Sequence, residues 1–152
     1  MQPADPAYAE RTRASFALQG AMRTLGAELL EVAPGRVVIG FASRPELSQQ
    51  HGFVHAGMVA AVLDSAAGYA AGTLMPAEAE VLTIEFKVNL LAPAAGPWIR
   101  CEAEVVKAGR TISVAEATAW QSDPADPGAR PRRIATLTAT LMLVRDRGLP
   151  SA

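Results

Sequence analysis

With 152 residues, half of them apolar, the chain is the size of one ordinary domain and has the side chains to fill a core. Its 14 Lys and Arg against 15 Asp and Glu leave a net charge of −1, which suggests no basic face and argues against nucleic acid as the main partner. No apolar run is long and unbroken enough to span a membrane, because Asp64 interrupts the best candidate.

Residues 5–18 read as a helix that starts near Asp5 with Pro6 in its first turn. A second short turn is expected over Gly20–Leu25. Ala27–Val32 and Arg36–Ala42 alternate on either side of Pro34-Gly35, which is a hairpin signal. Arg44–Val54 is irregular and holds Pro45 and Gly52. A helix follows over His55–Leu74, about 30 Å long, and Pro76 ends it. Val81–Leu91 alternates, with Leu82, Ile84, Phe86, Val88 and Leu90 on one face. Thr83, Glu85, Lys87 and Asn89 take the other, with Glu85 and Lys87 as a solvated or subunit-packing face. Pro97–Lys107, a tight Ala108-Gly109 turn, Thr111–Gln121, a polar turn over 122–129 and Arg132–Val144 complete the strands. Residues 145–152 read as a loose tail. The single Cys101 has no disulfide partner in the chain and falls in a strand, so it is expected to be structural.

This order predicts one α+β domain over 1–152, with 1–15 as a helical extension. A strongly twisted antiparallel sheet of about six strands wraps one apolar helix. The sheet's outer face and edges then need cover from another subunit. The N-terminus lacks the basic-then-apolar order of a signal peptide, which points to a cytoplasmic protein.

Asp64 is the only formally charged residue between Glu46 and Glu78, and the run around it, HAGMVAAVLDSAAGYAAG, reads as buried. Desolvating a carboxylate there costs several kcal/mol unless it is paired. Such groups mark functional sites more often than chance. The helix is opened by QQHGFVHAG, which gathers Gln49, Gln50, His51, Gly52, His55 and Gly57. Ala56 and Gly57 fall in the first turn, where backbone N–H groups lack intrahelical partners and the helix dipole is positive. Their small side chains let a ligand oxygen approach those amides, which is oxyanion-hole chemistry. Asp64 lies two turns further on the same face, about 10 Å away. One chain therefore does not bring both to one reacting carbon, whereas a symmetric dimer does. His51 and His55 lack the third ligand that zinc needs, so no metal is expected. GxSxG, GxGxxG and P-loop patterns are absent.

With His55-Ala56-Gly57, then six residues, then Asp64-Ser65-Ala66-Ala67-Gly68, the chain resembles the hot-dog-fold acyl-CoA thioesterases of the PaaI type. VLTIEFKVNLLAPAAG and GRTISVAEA resemble that family's third strand and return strand, and the resemblance covers roughly Phe16–Leu143. It implies hydrolysis of an acyl-CoA, with no cofactor beyond the coenzyme A of the substrate. Asp64 is then the general base or nucleophile, and Gly57 N–H the donor to the thioester oxygen. Gln49 and Thr83 orient water or substrate. His55 orders the helix start near the thioester, and Arg110 contacts the nucleotide of coenzyme A. The family's first motif glycine is Ala56 here, which bears on substrate range. A homo-oligomer is implied, a dimer at minimum and a tetramer by family habit. A non-catalytic acyl-CoA sensor and an enoyl-thioester hydratase on the same fold are the alternatives. The acyl group, medium-chain or aryl, stays open.

Overall fold

The alternating segments pair into one six-stranded antiparallel sheet in the order β1-β2-β4-β5-β6-β3. The computed structural model describes residues 1–145, so the loose tail expected over 145–152 lies, beyond its first residue, outside the described residues. The elements are α1 (Tyr8–Leu18), α2 (Gly20–Leu25), β1 (Glu28–Ala33), β2 (Arg36–Ala42), a 3-10 turn (Pro45–Leu47), α3 (Ala56–Gly72), β3 (Glu80–Leu90), β4 (Trp98–Lys107), β5 (Ile112–Ser122) and β6 (Arg132–Val144). This is the expected α+β hot-dog arrangement, with α3 held against the concave face of the sheet.

Small side chains set the closeness of that packing. Ala66, Ala67, Ala70 and Ala71 of α3 are buried, and they meet Ala103, Ala115, Ala117 and Ala139 of the central strands in one core. Phe41, Ile39, Leu63, Ile99, Leu137 and Leu141 fill what remains. Cys101 is fully buried in this core, and burial pushes its thiol pKa up, so it stays protonated and inert. The hairpin turn is tied to the end of α3. Gly35, at φ 76°, donates its N–H to Thr73 Oγ1 at 2.7 Å, and Thr73 in turn donates to Ala70 O at 2.7 Å.

Three expectations are corrected. First, α1 begins at Tyr8 and not at Asp5. Asp5 instead receives the Ala7 N–H at 2.8 Å and the Arg11 Nε at 2.9 Å. Arg11 also donates to Gly72 O and Met75 O at the C-terminal end of α3. These bonds clamp α1 onto α3, and they satisfy carbonyls that a helix end leaves open. The Arg11 hydrogen bond, followed by that of the Ala7 amide, holds the Asp5 carboxyl below its ordinary 3.8. A carboxyl lowered in the folded state stabilises above its unfolded pKa, and that contribution is lost as pH falls through the lowered value. Thermal unfolding is therefore expected to give Asp5→Asn a lower Tm than the wild type at pH 7. The gap should close as the pH drops below about 4; a gap that persists at low pH contradicts the clamp.

Second, the alternation on β3 is broken. Thr83 faces Leu141 and Glu85 faces Thr140, leaving Ile84 as an extra residue in a bulge. Directly opposed residues share a face. Thr83 therefore lies on the helix side with Phe86, Val88 and Leu90, which oppose Ala139, Leu137 and Ala135. Leu82 is left on the outer side, opposite Met142. Third, the outer face of the sheet is polar. Arg36 pairs with Glu31, Glu102 and Glu104, Arg100 pairs with Glu102, and Thr118, Thr136, Thr138 and Thr140 run beside them. Exposed apolar side chains gather along the β3 edge, where Leu82, Ile84, Phe86 and Leu90 are between 42% and 56% exposed, with Leu18, Leu30, Val106 and Ile112 exposed elsewhere.

Candidate active site

Helix α3 carries a stripe that the sheet does not cover. Gly57, Ala60, Ala61, Asp64 and Ser65 are exposed or partly exposed along it. Asp64 is therefore half-buried in this chain and not enclosed, contrary to the reading of the run as buried all round. It is fixed all the same. Thr83 Oγ1 donates to Asp64 Oδ1 at 2.8 Å, bridging α3 and β3. The bulge at Ile84 belongs to this contact, because bulges re-aim the side chains beside them. With Oδ1 held by Thr83, Oδ2 accepts no hydrogen bond among the described residues.

Asp64 and Thr83 line a cleft of about 350 Å³, together with Ser65, Gly68, Tyr69 and three residues from the α1–α2 segment, Ser15, Leu18 and Gln19. The volume sits at the small end of ligand sites. Sequence reasoning missed the α1 wall. Nothing local in residues 15–19 signals it, since the clamp at Arg11 creates it. Gln19 Oε1 is buried there without a hydrogen-bond partner among the described residues, which leaves its amide unsatisfied by the fold.

The start of α3 lines a different cleft, of about 560 Å³. Gln49, His55 and Ala56 sit on one side of it, and Phe53, Val59, Leu90, Leu91 and Ile134 supply apolar walls. His55 is the N-cap, with extended backbone at φ −61° and ψ 136°, and its Nδ1 accepts the Gly57 N–H at 2.9 Å. An accepting Nδ1 places the proton of the neutral ring on Nε2. Met58 and Val59 donate to His55 O. The Gly57 amide, expected to meet a ligand oxygen, is thus already engaged. Among the described residues the amide left open is that of Ala56. It lies at the positive end of the helix dipole and within the cleft lining. Gln49 turns its Oε1 back to the His51 N–H, which leaves its amide nitrogen available. Arg110 stands elsewhere, at the C-terminal end of α3 beside Leu74, Met75 and Pro76. Among the described residues, no three His, Cys, Asp or Glu side chains are grouped to hold a metal, and no helix is long and apolar enough to cross a membrane.

The site residues therefore fall into two sets on one helix stripe. Asp64 and Thr83 are in one cleft, and Gln49, His55 and Ala56 are in the other. The first set supplies a positioned carboxylate. The second supplies fixed donors at a helix N-terminus, suited to negative charge developing on a carbonyl oxygen.

Comparisons with known proteins agree on the class. A sequence profile described as the thioesterase superfamily matches residues 51–127, from the loop before α3 into the β5–β6 turn. A protein of Halobacterium salinarum that carries a provisional esterase name is 31% identical over 133 residues, covering 84% of this chain and 86% of its own. The crystal structure of a thioesterase family protein from Silicibacter pomeroyi is 52% identical, with a TM-score of 0.87 over 91% of this chain and 99% of that one. The PaaI protein of the E. coli phenylacetic acid degradation operon shares the fold at a TM-score of 0.80 and 14% identity, over 90% and 93% of the two chains. On the profile match and the two closer relatives together, the chain belongs to the thioesterase superfamily.

Proposed function

We propose that the protein is an acyl-CoA thioesterase whose active site forms between two copies of the chain. The observation that carries this reading is the division of one helix stripe between two clefts, beside an unpaired apolar strand edge. Pairing β3 of one copy with β3 of another removes that edge. By two-fold symmetry it brings the α3 start of one subunit toward Asp64 of its partner, and it builds two equal sites. The assembly is a dimer at minimum.

In each site the thioester oxygen is held by the Ala56 N–H, with His55 Nε2–H close by and Gln49 orienting water or substrate. Asp64 of the facing subunit, steadied by Thr83, attacks the thioester carbon directly or through a water that it deprotonates. Negative charge collects on the oxygen and is met by the helix-start donors. Collapse of the tetrahedral intermediate breaks the C–S bond: in the water route the proton that Asp64 took from water passes to the departing thiolate, and in the direct route the acyl group remains on Asp64 as an anhydride until a water hydrolyses it, which restores the carboxylate, frees the acid and supplies the thiolate's proton. Joining subunits also desolvates Asp64, which makes its bond to Thr83 matter more.

The test is thiol release from a panel of short, medium-chain and aryl acyl-CoAs, followed with a disulfide reagent. Buried Cys101 does not consume the reagent. Turnover of at least one class is expected. Acyl-CoA binding with no thiol released from any member contradicts the enzyme reading and favours a sensor.

A further inference from the structure

We infer that Tyr69, held against α1, is the wall that limits the length of the acyl group, and that the substrate carries a short straight chain. This rests on the thioesterase reading, since it assigns the acyl side of the same site. The two arms of the substrate part at the thioester carbon, between Ala56 of one subunit and Asp64 of the other. The larger helix-start cleft lies on one side, and the cleft beside Asp64 on the other. The Asp64 cleft leads inward beneath α1, where a second cavity of about 320 Å³ follows it, lined by Arg11, Thr12, Ala14, Gly72 and Ala79. An arm that ends in a nucleotide needs an exit to solvent, so the acyl group takes the Asp64 side.

Ser15, Leu18, Tyr69, Glu80 and Val81 line both chambers, so the two meet at these residues. Tyr69 spans the junction from α3 to α1. Its hydroxyl is 3.5 Å from Ser15 Oγ, and its ring meets Phe16 edge-on, with centroids 5.8 Å apart. Leu18, apolar yet 59% exposed, stands beside it. Two glycines flank this wall. Gly68, one turn past Asp64, is buried in the helix interior, where glycine is less favourable than alanine. A Cβ there meets only Val81 Cγ1, at 3.9 Å, and one at Gly72 meets nothing within 4 Å. Packing therefore demands neither glycine, and their small size leaves room in the near and far chambers. Tyr69 lies about 7.5 Å along the helix from Asp64, and Gly72 about 12 Å. With C–C bonds of about 1.5 Å, an extended chain of about six carbons ends at Tyr69. A longer chain needs the far chamber, which Tyr69 closes.

The experiment measures kcat/KM for butyryl-, hexanoyl- and decanoyl-CoA by thiol release. Wild type is expected to favour hexanoyl over decanoyl by about tenfold or more. Tyr69→Ala joins the chambers and should raise decanoyl about tenfold while changing butyryl little. Tyr69→Phe keeps the ring and loses only the hydroxyl contact, so it should keep the wild-type ranking. Adding Gly72→Phe to Tyr69→Ala refills the far chamber and should remove the decanoyl gain. Gly68→Val narrows the near chamber and should lower hexanoyl about tenfold relative to butyryl. This variant shifts the cutoff in the opposite direction and decides the matter even if Tyr69→Ala fails to fold. Wild type that accepts decanoyl as well as hexanoyl overturns the assignment. So does a Tyr69→Ala variant that changes all three chains alike, or a Gly68→Val variant with the wild-type ranking. In each of these cases thiol is still released and the thioesterase reading stands. Absence of thiol release by wild type from the whole panel refutes that reading, and this inference with it.

Discussion

Replacing Asp64 with asparagine is expected to lower kcat by about a thousandfold, within the range that a positioned acid–base group contributes. A thousandfold corresponds to about 4 kcal/mol of barrier. Asparagine keeps the shape and can still accept the 2.8 Å bond from Thr83, so the fold and the α3–β3 contact survive. What it lacks is an oxygen able to take a proton or to attack. KM should move little, because the carboxylate acts on the reacting carbon and not on the bulk of the substrate. Thr83→Ala should fall between the two, since it loosens the carboxylate without removing it. Steady-state kinetics beside thermal unfolding separates these outcomes. An Asp64→Asn variant with full kcat removes the residue from the chemistry.

Replacing Ala56 with proline is expected to lower kcat by about 10²- to 10³-fold, the loss measured when one oxyanion donor is deleted. The substitution suits the position. Proline is tolerated at the first residue of a helix, where its missing N–H has no intrahelical partner. His55 already has the extended backbone that a residue before proline prefers. Tm is therefore expected to hold while turnover falls. Ala56→Gly, which keeps the amide, should retain activity and widen the range of substrates accepted. If Gly57 were the donor instead, its N–H would have to leave His55 Nδ1, and Ala56→Pro would stay active. The pair of variants thus decides which of two adjacent amides meets the oxygen.

The sequence carries much of this before any coordinates. The Pro34-Gly35 hairpin, the long alanine-rich helix and the four later strands follow from local pattern, and the structure has each of them. The features that escaped are those that depend on contacts far along the chain. The bulge at Ile84 exists only through pairing with β6, and regular alternation from 82 to 90 gave no sign that Thr83 would turn toward Asp64. The clamp from Asp5 and Arg11 to the end of α3 spans about 60 residues of chain, so it moves α1 against the Asp64 cleft in a way no window on residues 5–18 reveals. The His55 cap on Gly57 is a choice of side-chain rotamer, and a motif of residue types does not encode it. Asp64 and the helix start at His55 stand out by residue type and spacing, and Gln49 and Thr83 only by resemblance to the family; their sorting into two clefts is a property of the fold.

Complementation between two inactive variants tests the shared site most directly. Asp64→Asn lacks the carboxylate and Ala56→Pro lacks the donor, and each homodimer has two broken sites. A heterodimer of the two joins the intact helix start of one subunit to the intact Asp64 of the other, restoring one site of two. With random exchange of equal amounts, half the dimers are mixed, so activity should return to about a quarter of wild type. Brief partial denaturation and refolding of the mixture, with each variant treated alone as control, makes the comparison. Recovery near a quarter is the result this account predicts. If the mixture exchanges subunits, as a size-tagged copy would show, yet stays as inactive as its parts, both groups act within one chain and the interface site is wrong.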